Sequence, residues 1–199
     1  LLCAAGVDGN ELNLSRELGG DRQTVVGVVC ALMGSLRVID LSRNNLGPGG
    51  AGAAIARALK GNVSLTECNV RNNQLDIESA KLLSEVATIN RVMLFGIKHD
   101  QAKADFSWQQ LDSTDAILIA SDVAVSKSLT SLDVFSSNIT AGYGAQQLAT
   151  AVLSKQGLEI FCHIPLKERR ADSLTALRLS DKDIGVPGAL VLAKLLQAG

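Results

Sequence analysis

The chain has 199 residues, 47% of them hydrophobic, which is enough to bury a sizeable core and reads as globular. Nineteen Lys and Arg against twenty Asp and Glu leave a formal net charge of −1, so no global field draws the chain to nucleic acid or an anionic membrane. Aromatics make up only 3%, a balance that suits the stacking of many small units better than one bulky core.

Laid on itself, the chain shows a repeated spine. It begins weakly at Leu12, Leu14 and Leu18, and a helical pattern follows over Gln23–Met33. Leu36, Ile39, Leu41, Asn44 and Leu46 then set a template, L-x-x-L-x-L-x-x-N-x-L, which recurs 29 residues later at Leu65, Cys68, Val70, Asn73 and Leu75. A weaker unit sits at Val92, Phe95, Ile97, Asp100 and Ala102. Leu129, Leu132, Val134, Ser137 and Ile139 carry the spine in full, as do Leu174, Leu177, Leu179, Lys182 and Ile184. Between these last two, Leu158, Phe161 and His163 open a degenerate unit spanning about 158–173. The count is about seven units, four with a complete spine. Each spine predicts a strand, and the second half of most units predicts a helix: 50–60, 77–87, 114–127, 141–155 and 187–197. Between residues 98 and 114 the link to the next helix looks some eight residues longer than its counterparts.

This spacing, with a helix in each unit, resembles the ribonuclease-inhibitor-like class of leucine-rich repeats, from about Gly9 to Gln197. The resemblance implies an α/β solenoid, a horseshoe with parallel strands on its concave face and helices outside. It also implies that Asn44 and Asn73 bond backbone groups in the turns as a ladder, which Glu17, Asp100, Ser137 and Lys182 would interrupt. One domain covering 1–199 is expected, cut from a longer chain, because the apolar last helix with Val191, Leu192, Leu195 and Leu196 has no polar cap after it. The phrase Phe161-Cys162-His163-Ile164-Pro165-Leu166, running into Ala171-Asp172-Ser173-Leu174, is similar to repeats abundant in single-celled algae and related protists.

Little in the chain points to catalysis. Gly47, Gly49 and Gly52 match G-x-G-x-x-G, but glycines recur at the same point of other units, which favours a turn requirement over a nucleotide site. His99 and His163 lie in different units with no ligand or base spacing around them, and His163 falls at an inward template position. Cys30 and Cys68 read as core residues, whereas Cys162 falls where a strand could face the concave side. The expectation is a non-enzyme with neither metal nor cofactor. The cysteines, Cys3, Cys30, Cys68 and Cys162, form no disulfide framework, which suits a reducing, intracellular compartment such as the cytoplasm. A start without Met leaves room for a lost targeting segment, and so for an organelle. No apolar stretch reaches the ~20 residues that span a bilayer.

Binding of a protein partner is the better reading, with the chain a scaffold or subunit of a larger assembly. Arg16, Arg43, Arg71, Lys98 and His99 fall at or beside equivalent positions just after the strands, alongside Asn13, Asp40, Asn69 and Asp133. Such a row could hold an acidic segment, arginine offering paired planar hydrogen bonds, or could be a solvated face of mutual ion pairs such as Arg43 with Asp40. Phe106 and Trp108 lie in the lengthened link, where Trp108 either anchors a partner or folds back over the irregular unit. Two alternatives remain. Leu41-Ser42-Arg43-Asn44-Asn45-Leu46-Gly47 looks similar to Ran GTPase-activating proteins, which implies a GTPase regulator. A ligand-sensing repeat region of an immune-type receptor is the other.

Overall fold

The computed structural model describes residues 6–8, 10–16, 36–47 and 50–197. The expected helix over Gln23–Met33, together with Cys3, Cys30, Glu17, Leu18 and Gly49, lies outside the described residues. The chain divides into two compact units, Leu1–Lys98 and His99–Gly199.

In the first unit, β1 (Gly6–Asp8) runs antiparallel to β2 (Glu11–Asn13), and β2, β3 (Val38–Asp40) and β4 (Glu67–Asn69) follow in parallel. The register aligns Leu12 with Ile39 and Ile39 with Cys68, so the middle residue of each strand points into the core while its neighbours face out. Past β4 the chain returns once more, and Met93 bridges to Glu67 in parallel. Helices α1 (Ala51–Lys60) and α2 (Ile77–Asn90) pack together and bury Ile55, Leu59, Leu83 and Ala87 behind the strands. Asp76 caps α2 by accepting the Ser79 N–H at 2.7 Å.

The predicted asparagine ladder is present here. Asn44 donates through Nδ2 to the carbonyls of Leu14 and Leu41, both at 2.8 Å. Asn73 repeats this with Leu41 at 2.8 Å and Val70 at 2.9 Å, while its Oδ1 accepts the Asn44 N–H at 2.8 Å and the Leu46 N–H at 3.3 Å. The turn that holds each asparagine is bracketed by two left-handed residues: Arg43 and Asn45, then Asn72 and Gln74, with φ between 51° and 62°. Each such residue costs ~1–2 kcal/mol, and the buried amide that satisfies several backbone groups offsets it.

The second unit repeats the plan with different edges. Strands β5 (Lys103–Asp105), β6 (Ser131–Asp133) and β7 (Ile160–Phe161) are parallel, and β8 (Ile164–Pro165) returns antiparallel to β7. Helices α3 (Ser113–Val125), α4 (Tyr143–Ser154), α5 (Leu166–Arg170) and α6 (Gly185–Gln197) complete it, with α3 packed on α4 and α4 on α6. Asp112 and Asp115 form a reciprocal capping box at the start of α3. At the other end of α4, Arg170 aims its guanidinium at five carbonyls, including Lys155 at 2.9 Å and Leu158 at 2.6 Å, closing a helix terminus whose C=O groups lack intrahelical partners. Among the described residues no helix is long and apolar enough to cross a membrane.

Three expectations change. The stretch expected to be a lengthened link holds β5, and Ala104, Phe106 and Leu111 are its buried spine. The start of the short unit is a hairpin whose two loop residues, Cys162 and His163, both have positive φ (44° and 64°), as a tight two-residue turn requires. Cys162 is therefore fully buried and His163 points outward, the reverse of the template reading. Finally, Leu174–Leu179 forms no strand, and Leu177 is 39% exposed. Strand β8 already occupies the edge of β7 that a parallel strand there would need. The turn survives nonetheless, since Asp181 and Asp183 are left-handed on either side of Lys182.

Replacing Asn73 by Ala is expected to lower stability by ~2–3 kcal/mol in denaturant unfolding, because buried backbone groups lose their partners. A Cβ at Gly144 would lie 2.0 Å from the Ser113 carbonyl oxygen, where α4 meets α3. Gly144→Ala should therefore cost ~1–3 kcal/mol in the same measurement, with no glycine-specific φ involved.

Candidate partner-binding site

The ends of β2, β3, β4, β5 and β6 are built the same way. An Asn or Asp folds its side chain back and accepts the N–H two residues on: Asn13 from Ser15 (2.9 Å), Asp40 from Ser42 (2.8 Å), Asn69 from Arg71 (3.2 Å), Asp105 from Ser107 (2.9 Å) and Asp133 from Phe135 (3.2 Å). The next residue is left-handed in every case: Arg16, Arg43, Asn72, Trp108 and Ser136. Asp40, Asn69 and Asp133 thus have a structural task as Asx turns. Asp105 belongs with them and was legible as the position 28 residues before Asp133.

In the first unit, the backbone ladder runs on past the strands. The Arg16 N–H donates to the Ser42 carbonyl at 3.2 Å, and the Arg43 N–H to the Arg71 carbonyl at 3.0 Å. Strand spacing of ~4.8 Å therefore sets Arg16 beside Arg43, while Arg71 aligns with Ser42, one residue earlier in the repeat. With Ser15, Ser42, Asn69 and Asn72 they line an open cavity of about 480 Å³. Arg71 is the most constrained, its guanidinium carbon 5.2 Å from the Phe95 ring centroid in a cation–π contact. Among the described residues neither Arg16 nor Arg43 forms an ion pair, so the expected pairing of Arg43 with Asp40 is not made. Like charges at strand spacing repel, and an anion between them would remove that cost.

Lys98 lines a neighbouring cavity of about 340 Å³ with Glu11, Asp40 and Glu67, and Asn69 borders both cavities. Glu11 and Glu67 were not singled out from the sequence, although both are outward strand residues one repeat apart from Val38.

The second unit offers different chemistry at equivalent positions. Trp108 is 73% exposed and stands edge-on to Phe135, with ring centroids 5.6 Å apart; Phe135 meets the His163 ring at 5.4 Å. Trp108 therefore does not fold back over the core. Phe106 does: at 7% exposure it is a core residue and cannot anchor a partner. His163 Nε2 lies 3.8 Å from Asp133 Oδ2, while His99, at the start of this unit, is half-buried. Hydrogen bonds from the Ser107 hydroxyl and N–H hold Asp105 below the usual carboxylate range. Burial raises Asp133 above it, opposed by the Phe135 N–H and by His163. Burial also pushes the Cys162 thiol up, so it is no thiolate nucleophile, and its sulfur accepts the Val134 N–H at 3.5 Å. Among the described residues no group of three or more His, Cys, Asp or Glu side chains is arranged to hold a metal ion.

Because Asp133 binds its proton more tightly when folded than when unfolded, ionisation costs stability as pH rises through its folded value. Asp133→Asn keeps an acceptor for the Phe135 N–H without the charge. The variant is expected to melt above the parent at pH 7 and with it below about pH 3, where an ordinary Asp is protonated.

Residues 35–53, which include β3 and Asn44, match the family described as Leucine Rich repeat. No curated protein matches the chain. Among solved structures it is similar to Leiomodin-1 Actin-Binding Site 2 (ABS2), with 13% identity and a TM-score of 0.37 over 95% of this chain and 84% of that one. The matched segment is the stretch in which the first rung of the asparagine ladder is built, and the chain is one that carries a leucine-rich repeat.

Proposed function

We propose that the chain is a protein-binding module, a leucine-rich-repeat solenoid of the ribonuclease-inhibitor-like class, that holds an acidic segment of a protein partner against Arg16, Arg43 and Arg71. A leucine-rich repeat is generally a protein-binding module, and the alternation of parallel strand and helix within each unit supports the solenoid reading. The observation that carries the choice of partner is the 480 Å³ cavity with three arginines on its rim. A carboxylate placed there accepts paired hydrogen bonds from a guanidinium fork, and arginine, more weakly hydrated than lysine, surrenders less water in doing so.

On this reading the chain performs no chemistry of its own; it supplies area, charge and register. Fixed backbone positions also matter. The left-handed turns and the ladder hold Arg16 and Arg43 at one spacing before any partner arrives, which reduces the entropy lost on binding.

Affinity purification with the chain as bait, followed by mass spectrometry, identifies the partner. Reversing charge with Arg43→Glu and Arg71→Glu together should then weaken its binding at least ~10-fold, mostly through slower association at low salt. Unchanged affinity would discard the arginine row as the binding surface.

A further inference from the structure

A second surface lies on the helices of the first unit, away from the strand ends. Leu82 is 44% exposed and Ile89 73%, and with Val86 they recur on α2 at i, i+4 and i+7, one stripe of a helix. Facing them, the apolar lining from α1 is Ala53 and Ala56, with Arg57 and Lys60 at its edge, so the two helices form a step: a groove of about 500 Å³ with small apolar residues on one wall and branched aliphatic ones on the other. Contiguous exposed apolar surface with a polar rim is a mark of an interaction site.

The groove is fixed at both ends. Near its start α1 and α2 touch so closely that a Cβ at Gly52 would fall 2.5 Å from the Ser79 Cβ. Near its end Asn90 donates through Nδ2 to the carbonyls of Leu59 and Asn62, tying the end of α2 to the end of α1.

We infer that this groove docks an amphipathic helix of a protein partner, with apolar anchors at i, i+3 or i+4, and i+7 in the groove and an acidic residue against Arg57 and Lys60. Both walls are helices whose backbone groups are already bonded internally, so an extended segment gains no ladder of hydrogen bonds there, whereas a helix brings its own. Charge sets the orientation. Arg57 and Lys60 stand on the α1 rim and Glu85 on the α2 rim, and none of the three forms an ion pair among the described residues. The occupant therefore carries a carboxylate toward α1 and a cation toward α2. From Ala53 to Lys60 the wall runs ~10 Å, which accommodates about two helical turns. This surface is independent of the arginine row, and its test does not depend on that row binding anything.

A displayed library of short peptides, selected on the chain and counter-selected on its Ile89→Glu variant, provides the test. Ile89 is exposed, so the variant should fold, and circular dichroism melting checks that it does. Enriched peptides are expected to show the i, i+3/i+4, i+7 apolar spacing with acidic residues on one flank. They should turn helical on binding and lose at least ~10-fold in affinity on Ile89→Glu. Arg57→Glu with Lys60→Glu should reverse their preference from acidic to basic flanks. Absence of enrichment, enrichment without that spacing, or equal binding to the variant would overturn the inference. A dimer of the chain in sedimentation velocity that Ile89→Glu dissolves would assign the groove to a second copy and overturn it too.

Discussion

Everything in both units hangs on how the backbone leaves a strand. A three-residue strand must turn sharply toward its helix while its N–H and C=O groups remain paired, since an unpaired buried group costs ~1–3 kcal/mol. The chain meets this with two devices in series. An Asx side chain accepts the second N–H after the strand, and a left-handed residue then redirects the chain around the slot where Asn44 or Asn73 sits. The helices, the strand register and the spacing of the exposed side chains follow from that repeated corner.

Where the corner is complete, the sequence was easy to read. Leu36–Leu75 shows apolar spine and asparagine together, and the ladder forms as the pattern implies. Where one component was weak, the register slipped. The unit containing β5 has Gln101, Ala104, Phe106, Gln109 and Leu111 at the spine and slot positions, found by stepping back 28 residues from Leu129–Ile139. A glutamine, an alanine and a second glutamine hide such a unit from a search for leucine and asparagine. At Leu174–Ile184 the opposite happens: the spine is intact and the strand is missing, because hydrogen bonding is a contest for edges and β8 holds the edge of β7. Nothing local announces β8, since Cys162-His163 lacks the Asn-Gly signature of a tight hairpin turn.

The candidate site was legible in position but not in role. Alternation along a strand correctly sends Asp40, Asn69 and Asp133 outward, yet their first duty is to the backbone of their own corner. That leaves the residues after them to vary. In the first unit they are arginines around a cavity; in the second they are Trp108 and Phe135 beside His163. One skeleton thus presents cationic or aromatic side chains without altering the hydrogen bonds of the corner: Arg16, Arg43 and Trp108 at the left-handed position, Arg71 and Phe135 at the residue before it.

Strand β8 has a bearing on the sheet's outer boundary. Every parallel repeat exposes a fresh row of donors and acceptors, and such a row is a template on which foreign strands can grow. Here the last row belongs to a strand of two residues, Ile164 and Pro165. Proline has no N–H to give. The hairpin thus leaves that edge short and poor in donors, which offers little for a foreign strand to pair with.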